Sequence, residues 1–260
     1  MRSAVEMKVA LITLVLLLLV FSQSFESTDQ QNEPEKDAYV ILLHGLARTN
    51  HSMVKLEKTL SSHGYKVINV DYPSTKHPIE FLADDILSDI LDQFSGTHQS
   101  KIHFVTHSMG GIVVRYYLKH HKLSNLGRVV MLSPPNQGSE LIDHLKDNFI
   151  FKITHGPAGQ QLGTDEDSVP IKLGPVDYEL GVIAGNRSFY PLYSMILPGP
   201  DDGLVSVERA KVAGMADFLI LPQSHPFIMQ SKDVIEQVIH FLEHGAFRHA
   251  ASDATGADQS

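Results

Sequence analysis

The sequence predicts an α/β protein built on a mostly parallel central sheet with helices on both faces. Three observations lead there. Short β-rich runs alternate along the chain with runs of helical spacing, and the β-rich runs are apolar enough to be covered on both sides. The 260 residues, 43% of them hydrophobic and 20% charged, are ordinary for a folded chain with a sizeable core.

Each element can be read in order. Ala38 to Leu43 is a first strand ending at His44-Gly45, after which Met53, Leu56 and Leu60 recur at helical spacing. Tyr65 to Val70 is the next strand, closed by the turn Asp71-Tyr72-Pro73 at the top edge of the sheet. Ile79, Leu82, Ile86, Ile90 and Leu91 mark one helix face, with Asp84, Asp85 and Asp89 on the solvated side. Ile102 to Thr106 is a third strand, and Ile112 to Leu118 lie in the helix that follows it. Val129 to Leu132 is a fourth, ending at Pro134-Pro135, where a helix cannot immediately continue. Leu180 to Ala184 and Phe218 to Leu221 supply two more strands, and Val234, Ile235, Val238, Ile239 and Leu242 form the apolar face of a closing helix. In such sheets the chemistry gathers at the carboxyl ends of the strands.

The two ends fall outside this pattern. Arg2 and Lys8 precede Val9 to Phe21, thirteen residues of which only Thr13 is polar. A bilayer span takes about twenty apolar residues. Residues 1–24 therefore read as a secretory signal peptide ending at the small residues Ser22 and Ser24, which implies a secreted or periplasmic protein. The competing reading is an uncleaved anchor, with membrane association through that segment. Residues 25–37 carry five acids and no aliphatic side chain, as expected of a solvated acidic leader. Residues 245–260 turn to Ala, Ser, Asp, Gly and Gln and are expected to be a disordered tail. The expected folded unit is 38–244, one domain.

Charge and cysteine content exclude several functions. With 21 Lys and Arg against 30 Asp and Glu the net charge is −9, and without residues 1–24 the balance is 19 against 29. No basic cluster offers a phosphate-binding surface, so nucleic acid is not an expected partner. The same balance predicts repulsion of strongly anionic substrates and not of neutral apolar ones. The absence of cysteine excludes disulfides, thiolate nucleophiles and Cys-ligated zinc.

The strand Ile102 to Thr106 runs into His107-Ser108-Met109-Gly110-Gly111 and directly into a helix. This is the setting of a nucleophile elbow, a tight strand-to-helix turn that exposes a serine hydroxyl. A side chain at Gly110 would crowd the helix against the strand. Thr106 stands where the usual Gly-x-Ser-x-Gly pattern has its first glycine, and a small adjustment in packing is expected there.

On these residues the chain resembles the α/β-hydrolase superfamily, in its small secreted lipase and esterase type. The matching stretches are ILLHGLART (41–49), IHFVTHSMGGIVVRYYL (102–118), MLSPPNQGS (131–139), DDGLVSVERAK (201–211) and SHPFIM (224–229). They occur in the family's order and span most of 38–244. The resemblance implies Ser108 as nucleophile, His225 as general base and Asp202 as the acid that orients it, with Asp201 as the rival acid. It further implies an oxyanion hole from the backbone N–H groups of Leu46 and Met109, and substrate contacts from His44, Gly45 and His107, the last as a wall residue. The implied activity is cleavage of carboxylic esters, by a triacylglycerol lipase or carboxylesterase acting on a small-molecule or lipid ester, through an acyl-enzyme on Ser108. Two other uses stay open: acyl transfer or amide and lipid-anchor hydrolysis by the same triad, and a non-catalytic hydrolase-fold protein that binds an apolar ligand.

Residues 139–179 lie where this family often inserts a cap. Leu141, Ile142, Leu145, Phe149 and Ile150 suggest one amphipathic helix, followed by a loop from His155 to Pro175. Forty residues are too few for a multi-helix cap, so a minimal fold with a small cap or none is expected. No cofactor or metal is expected. His120-His121 diverge on a helix, Asp84-Asp85 and Asp165-Glu166-Asp167 read as solvated charges, and no Gly-x-Gly-x-x-Gly occurs.

Overall fold

The computed structural model describes residues 36–93 and 100–249. The expected signal peptide, most of the leader and residues 250–260 lie outside the described residues. Six strands form one sheet: β1 (Ala38–Leu43), β2 (Lys66–Val70), β3 (Lys101–His107), β4 (Leu126–Leu132), β5 (Leu180–Gly185) and β6 (Asp217–Leu221). Their order is β2-β1-β3-β4-β5-β6 and every neighbouring pair is parallel. The chain winds outward from β1 to β2, then returns past β1 to β3 and continues the other way. That reversal makes the ends of β1 and β3 the switch point at which such sheets bind ligands.

Alternation along the strands divides the core in two. Ile41 and Leu43, with Phe104, Met131 and Val182, face a layer that includes the helical run 79–92 and α3 (Met109–His120). Val40 and Leu42, with Val105, Val130 and Ile183, face α1 (Val54–Ser62) and α9 (Lys232–His244). Both sets are buried, which is why the strands read as continuous apolar runs. The run 79–92, labelled α2, is π-helical over Leu82–Leu87. At the edge of the sheet β6 is only partly covered, and Ile220 is exposed.

Several expected boundaries move. The run from Leu141 to Ile150 is not one helix: α4 (Glu140–Leu145) ends, and α5 (Phe149–Gln160) starts anew. The break has a local cause, because Asn148 Oδ1 accepts from Ile150 N at 2.9 Å and Phe151 N at 3.2 Å and so caps a fresh helix start. Leu141 is buried while Phe149 and Ile150 are exposed, so they share no face. The expected loop 155–175 likewise holds the end of α5, bent at Gly156, and α6 (Val169–Leu173). The ordered chain also continues past 244. Gly245, at φ 77°, turns it back so that Phe247 is buried against Phe241, their ring centroids 4.9 Å apart. Phe247 N donates to Asp217 Oδ2 at 2.7 Å, tying this turn to β6. At the other end, Asp37 of the expected leader accepts from Ser100 Oγ at 2.5 Å.

His103 lies at the register shift between β3 and β4. Its Nδ1 accepts from Arg128 N at 2.8 Å, and a side chain on Gly127 would strike its ring. Burial, reinforced by the Arg128 charge, pushes the His103 imidazole down to about 4.

Two outcomes follow for stability. Phe247→Ala should destabilise by about 3 kcal/mol and lower the melting temperature by roughly 6–12 °C, measured by thermal unfolding; an unchanged midpoint would show the turn after α9 to be dispensable. For His103, the unfolded chain takes up a proton near pH 6.5 that the native chain refuses until about pH 4. Its contribution is therefore full above about pH 6.5 and is lost as pH falls, about 2 kcal/mol by pH 5. Urea unfolding at both pH values should show that loss in the native protein and a smaller one in His103→Asn.

Candidate active site

Ser108 stands between the end of β3 and the start of α3, with φ 52° and ψ −126°. A non-glycine residue at positive φ costs about 1–3 kcal/mol and persists only where its surroundings fix it. Here they do: Ser108 N donates to Leu132 O at 2.9 Å, and its carbonyl accepts from Gly111 N at 3.0 Å. A Cβ on Gly110 would lie 2.7 Å from Leu43 O and 2.8 Å from His44 O, so the helix starts in contact with the backbone of β1. Thr106 is fully buried, and a Cβ on Gly111 would meet its Oγ1 at 3.1 Å. The absent side chain at 111 makes the room that the larger residue at 106 occupies.

The acid and the base arrive from the other side of the sheet. His225 Nδ1 donates to Asp202 Oδ2 at 2.8 Å, and both residues are buried. Asp202 Oδ1 accepts from Leu204 N at 3.0 Å and Val205 N at 2.9 Å, and the Asp202 carbonyl accepts from His225 N at 2.9 Å. Asp201 points elsewhere: its Oδ1 accepts from Gly203 N at 2.7 Å and Ser194 Oγ at 2.9 Å. Ser108 and His225 line the same cavity of about 300 Å³. They are not hydrogen bonded to each other here, a looseness common before substrate tightens such sites.

His107 also lines this cavity. Its Nε2 donates to His225 O at 3.0 Å, which leaves Nδ1 as an unpartnered buried acceptor beside Gly45. Burial, with the neighbouring His225 and Arg48, holds this imidazole neutral, well below the ordinary histidine value. Leu46 borders the cavity too, and neither Leu46 N nor Met109 N donates to a protein acceptor. Two expected contacts are corrected. His44 is fully buried, stacked on Tyr72 with centroids 4.2 Å apart, and burial lowers its pKa. Gly45 is buried as well, and a Cβ there would strike His107 Nδ1 at 2.8 Å and Ser108 Cβ at 3.1 Å. Neither lines the cavity; both serve as the packing beneath it.

The profile of the alpha/beta hydrolase fold family matches residues 39–164, which includes the elbow. The chain has the α/β-hydrolase fold. No curated protein matches it in sequence. Among solved structures it is similar to the mature lipase BlEst2 of Bacillus licheniformis, at 18% identity over 81% of this chain and 92% of that one, with a TM-score of 0.64. Phospholipase PlaB of Legionella pneumophila gives 0.67 at 16% identity over 80% of this chain, which spans 60% of that protein. A thermophilic esterase of Thermogutta terrifontis gives 0.58 at 15% identity, covering 82% and 92%.

Sequence reasoning missed most of the cavity wall. Leu141, Ile142 and Leu145 of α4, Phe151 and His155 of α5, and Leu162 line it, as do Tyr190, Tyr193 and Pro226. The aromatic run Phe189-Tyr190-Pro191-Leu192-Tyr193 was the available signal. Gly185 was another: a Cβ there would lie 2.9 Å from Asp202 Cβ and 2.4 Å from Gln223 O. Among the described residues, no cluster of three potential metal ligands is found.

Because the atoms facing Gly110 are main-chain carbonyls that cannot turn aside, Gly110→Ala should cost about 1–3 kcal/mol in urea unfolding. Native-like stability in that variant would contradict the contact between α3 and β1.

Proposed function

We propose that this protein is a serine hydrolase that cleaves carboxylic esters through an acyl-enzyme on Ser108. The observation that carries the reading is the buried Asp202–His225 pair, of which His225 lines the same cavity as Ser108. With Nδ1–H committed to Asp202, the imidazole keeps its Nε2 lone pair for a proton. Ser108 Oγ attacks the ester carbonyl carbon as its proton passes to His225 Nε2. The negative charge on the carbonyl oxygen falls to the free N–H groups of Met109 and Leu46, and the former opens α3, where the helix field also favours an anion.

Collapse of the tetrahedral intermediate breaks the bond to the alcohol oxygen, which takes the proton from Nε2 and leaves. Water then attacks the acyl-enzyme with Nε2 as base, releasing the acid and restoring Ser108. Asp202 fixes the ring orientation and stabilises the transient imidazolium. The apolar lining from Leu141, Ile142, Leu145, Phe151 and Leu162 suits a hydrocarbon acyl chain better than a polar one.

The test is labelling with a fluorophosphonate probe together with turnover of nitrophenyl esters. Ser108→Ala should abolish both. Asp202→Asn should lower kcat by about 10³–10⁴-fold, whereas Asp201→Asn, which loosens Ser194 but leaves the His225 bond intact, should stay within about tenfold. Labelling that survives in Ser108→Ala, or a native protein with neither labelling nor turnover, would remove the proposal.

A further inference from the structure

The nucleophile and its base come from separate parts of the sheet. Ser108 follows β3, the turn carrying Asp202 comes after β5 and His225 comes after β6, so β4 and β5 lie between the serine and the imidazole. Asp202 and His225 form one unit, joined by the ring bond at 2.8 Å and by His225 N donating to Asp202 O at 2.9 Å. Among the described residues, a single hydrogen bond joins that unit to the elbow. It comes from the residue before the nucleophile: His107 Nε2 donates to His225 O at 3.0 Å. The two rings also pack together, with centroids 4.8 Å apart and planes tilted by 52°.

A histidine at 107 is a poor choice for packing alone. The residue is 1% exposed, and an apolar side chain of similar size would fill the volume with no polar atom to desolvate. Histidine buries two nitrogens there and satisfies one. Its Nδ1 has no partner and lies beside Gly45, where a Cβ would stand 2.8 Å away. A buried polar atom left unpaired costs about 1–3 kcal/mol, a cost that points to a use for the other nitrogen. The ring cannot serve as the base for Ser108, because Nε2 holds its proton toward the His225 carbonyl and Nδ1 is closed off by residue 45. Burial also keeps this ring neutral, so it places no cation beside His225 to oppose proton uptake.

We propose that His107 is a positioning residue for ester cleavage, its Nε2–H and its ring holding the main chain of His225 at the reach from Ser108 that proton transfer requires. Residue 107 is joined covalently to the nucleophile. The base is therefore set on the serine through one side chain and not through two intervening strands. A displacement of about 1 Å at such a site can cost about 10²-fold in rate. The role rests on the ester-hydrolase reading.

The experiment compares native protein with His107→Phe, His107→Asn and His107→Gln in nitrophenyl ester turnover, fluorophosphonate labelling rate and melting temperature. Phe keeps the ring volume without a donor, Asn carries its amide nitrogen near the Nδ1 position, and Gln brings one to where Nε2 stands. Phe and Asn should lose about 10²-fold in kcat with KM within about threefold and labelling slowed in parallel. Gln should return to within about tenfold of native. A purely structural role would instead rank the variants by melting temperature, with no recovery in Gln. Nitrogen-15 NMR of the histidine-labelled native protein gives a readout free of turnover, and should find His107 neutral with its proton on Nε2. Folded Phe and Asn variants with native kcat, a Gln variant no better than Asn, or a His107 proton on Nδ1 would each overturn the proposal. Should the Phe variant not fold, Asn against Gln makes the same comparison. A native protein that neither labels nor turns over removes the ester-hydrolase reading and this role with it, whereas an active native protein with unaffected variants removes this role alone.

Discussion

Backbone touches backbone where β1 and β3 end, and the upper half of the molecule is arranged around that contact. Gly110 lies against the carbonyls of residues 43 and 44, and Gly45 against the side chains of residues 107 and 108. With no Cβ to separate them, α3 begins low in the crevice and Ser108 is left in a conformation that an L-residue does not choose for itself. The cost of that conformation is borne by the packing of the whole β1–β3–β4 core. His44 and Tyr72 close the space underneath, the Tyr72 hydroxyl donating to the His44 carbonyl at 2.5 Å.

Two adjacent carboxylates do different work on the far side of the cavity. Asp202 is buried with both oxygens engaged, by His225 and by two main-chain N–H groups, so its charge is met without a cation. Asp201 instead fastens Ser194, at the end of the short helix α7 (Pro191–Ser194), to the same turn. The cavity wall that carries Tyr190 and Tyr193 and the acid that holds His225 are therefore set by one three-residue stretch. His107 adds a further tie, from the residue before Ser108 to the His225 carbonyl. The ends of three strands, β3, β5 and β6, are tied together here by a few polar contacts.

Most of the sheet was legible because burial on both faces leaves its mark on every strand residue: β1 was read with its ends correct, and the other strands within a few residues. The elbow was legible because its steric demands restrict residue type, and the bonding of Asp202 rather than Asp201 to His225 agrees with the pattern that favoured residue 202. The parts that were misread depend on tertiary context. Leu141 to Ile150 carry a helical spacing on both sides of a break, and periodicity is blind to Asn148 turning inward to cap. The tail was read as unstructured from composition, which gives no weight to a single Phe247. His44 looks like a site residue in sequence because it adjoins one; only packing reveals that it faces down.

The contact between Thr106 and Gly111 constrains how this sequence can change over time. A Cβ at 111 would meet Met131 Sδ at 3.0 Å and Thr106 Oγ1 at 3.1 Å, so any side chain there depends on both neighbours giving way. Substitutions at 106, 111 and 131 are therefore coupled, and the order in which they arise decides what each one costs.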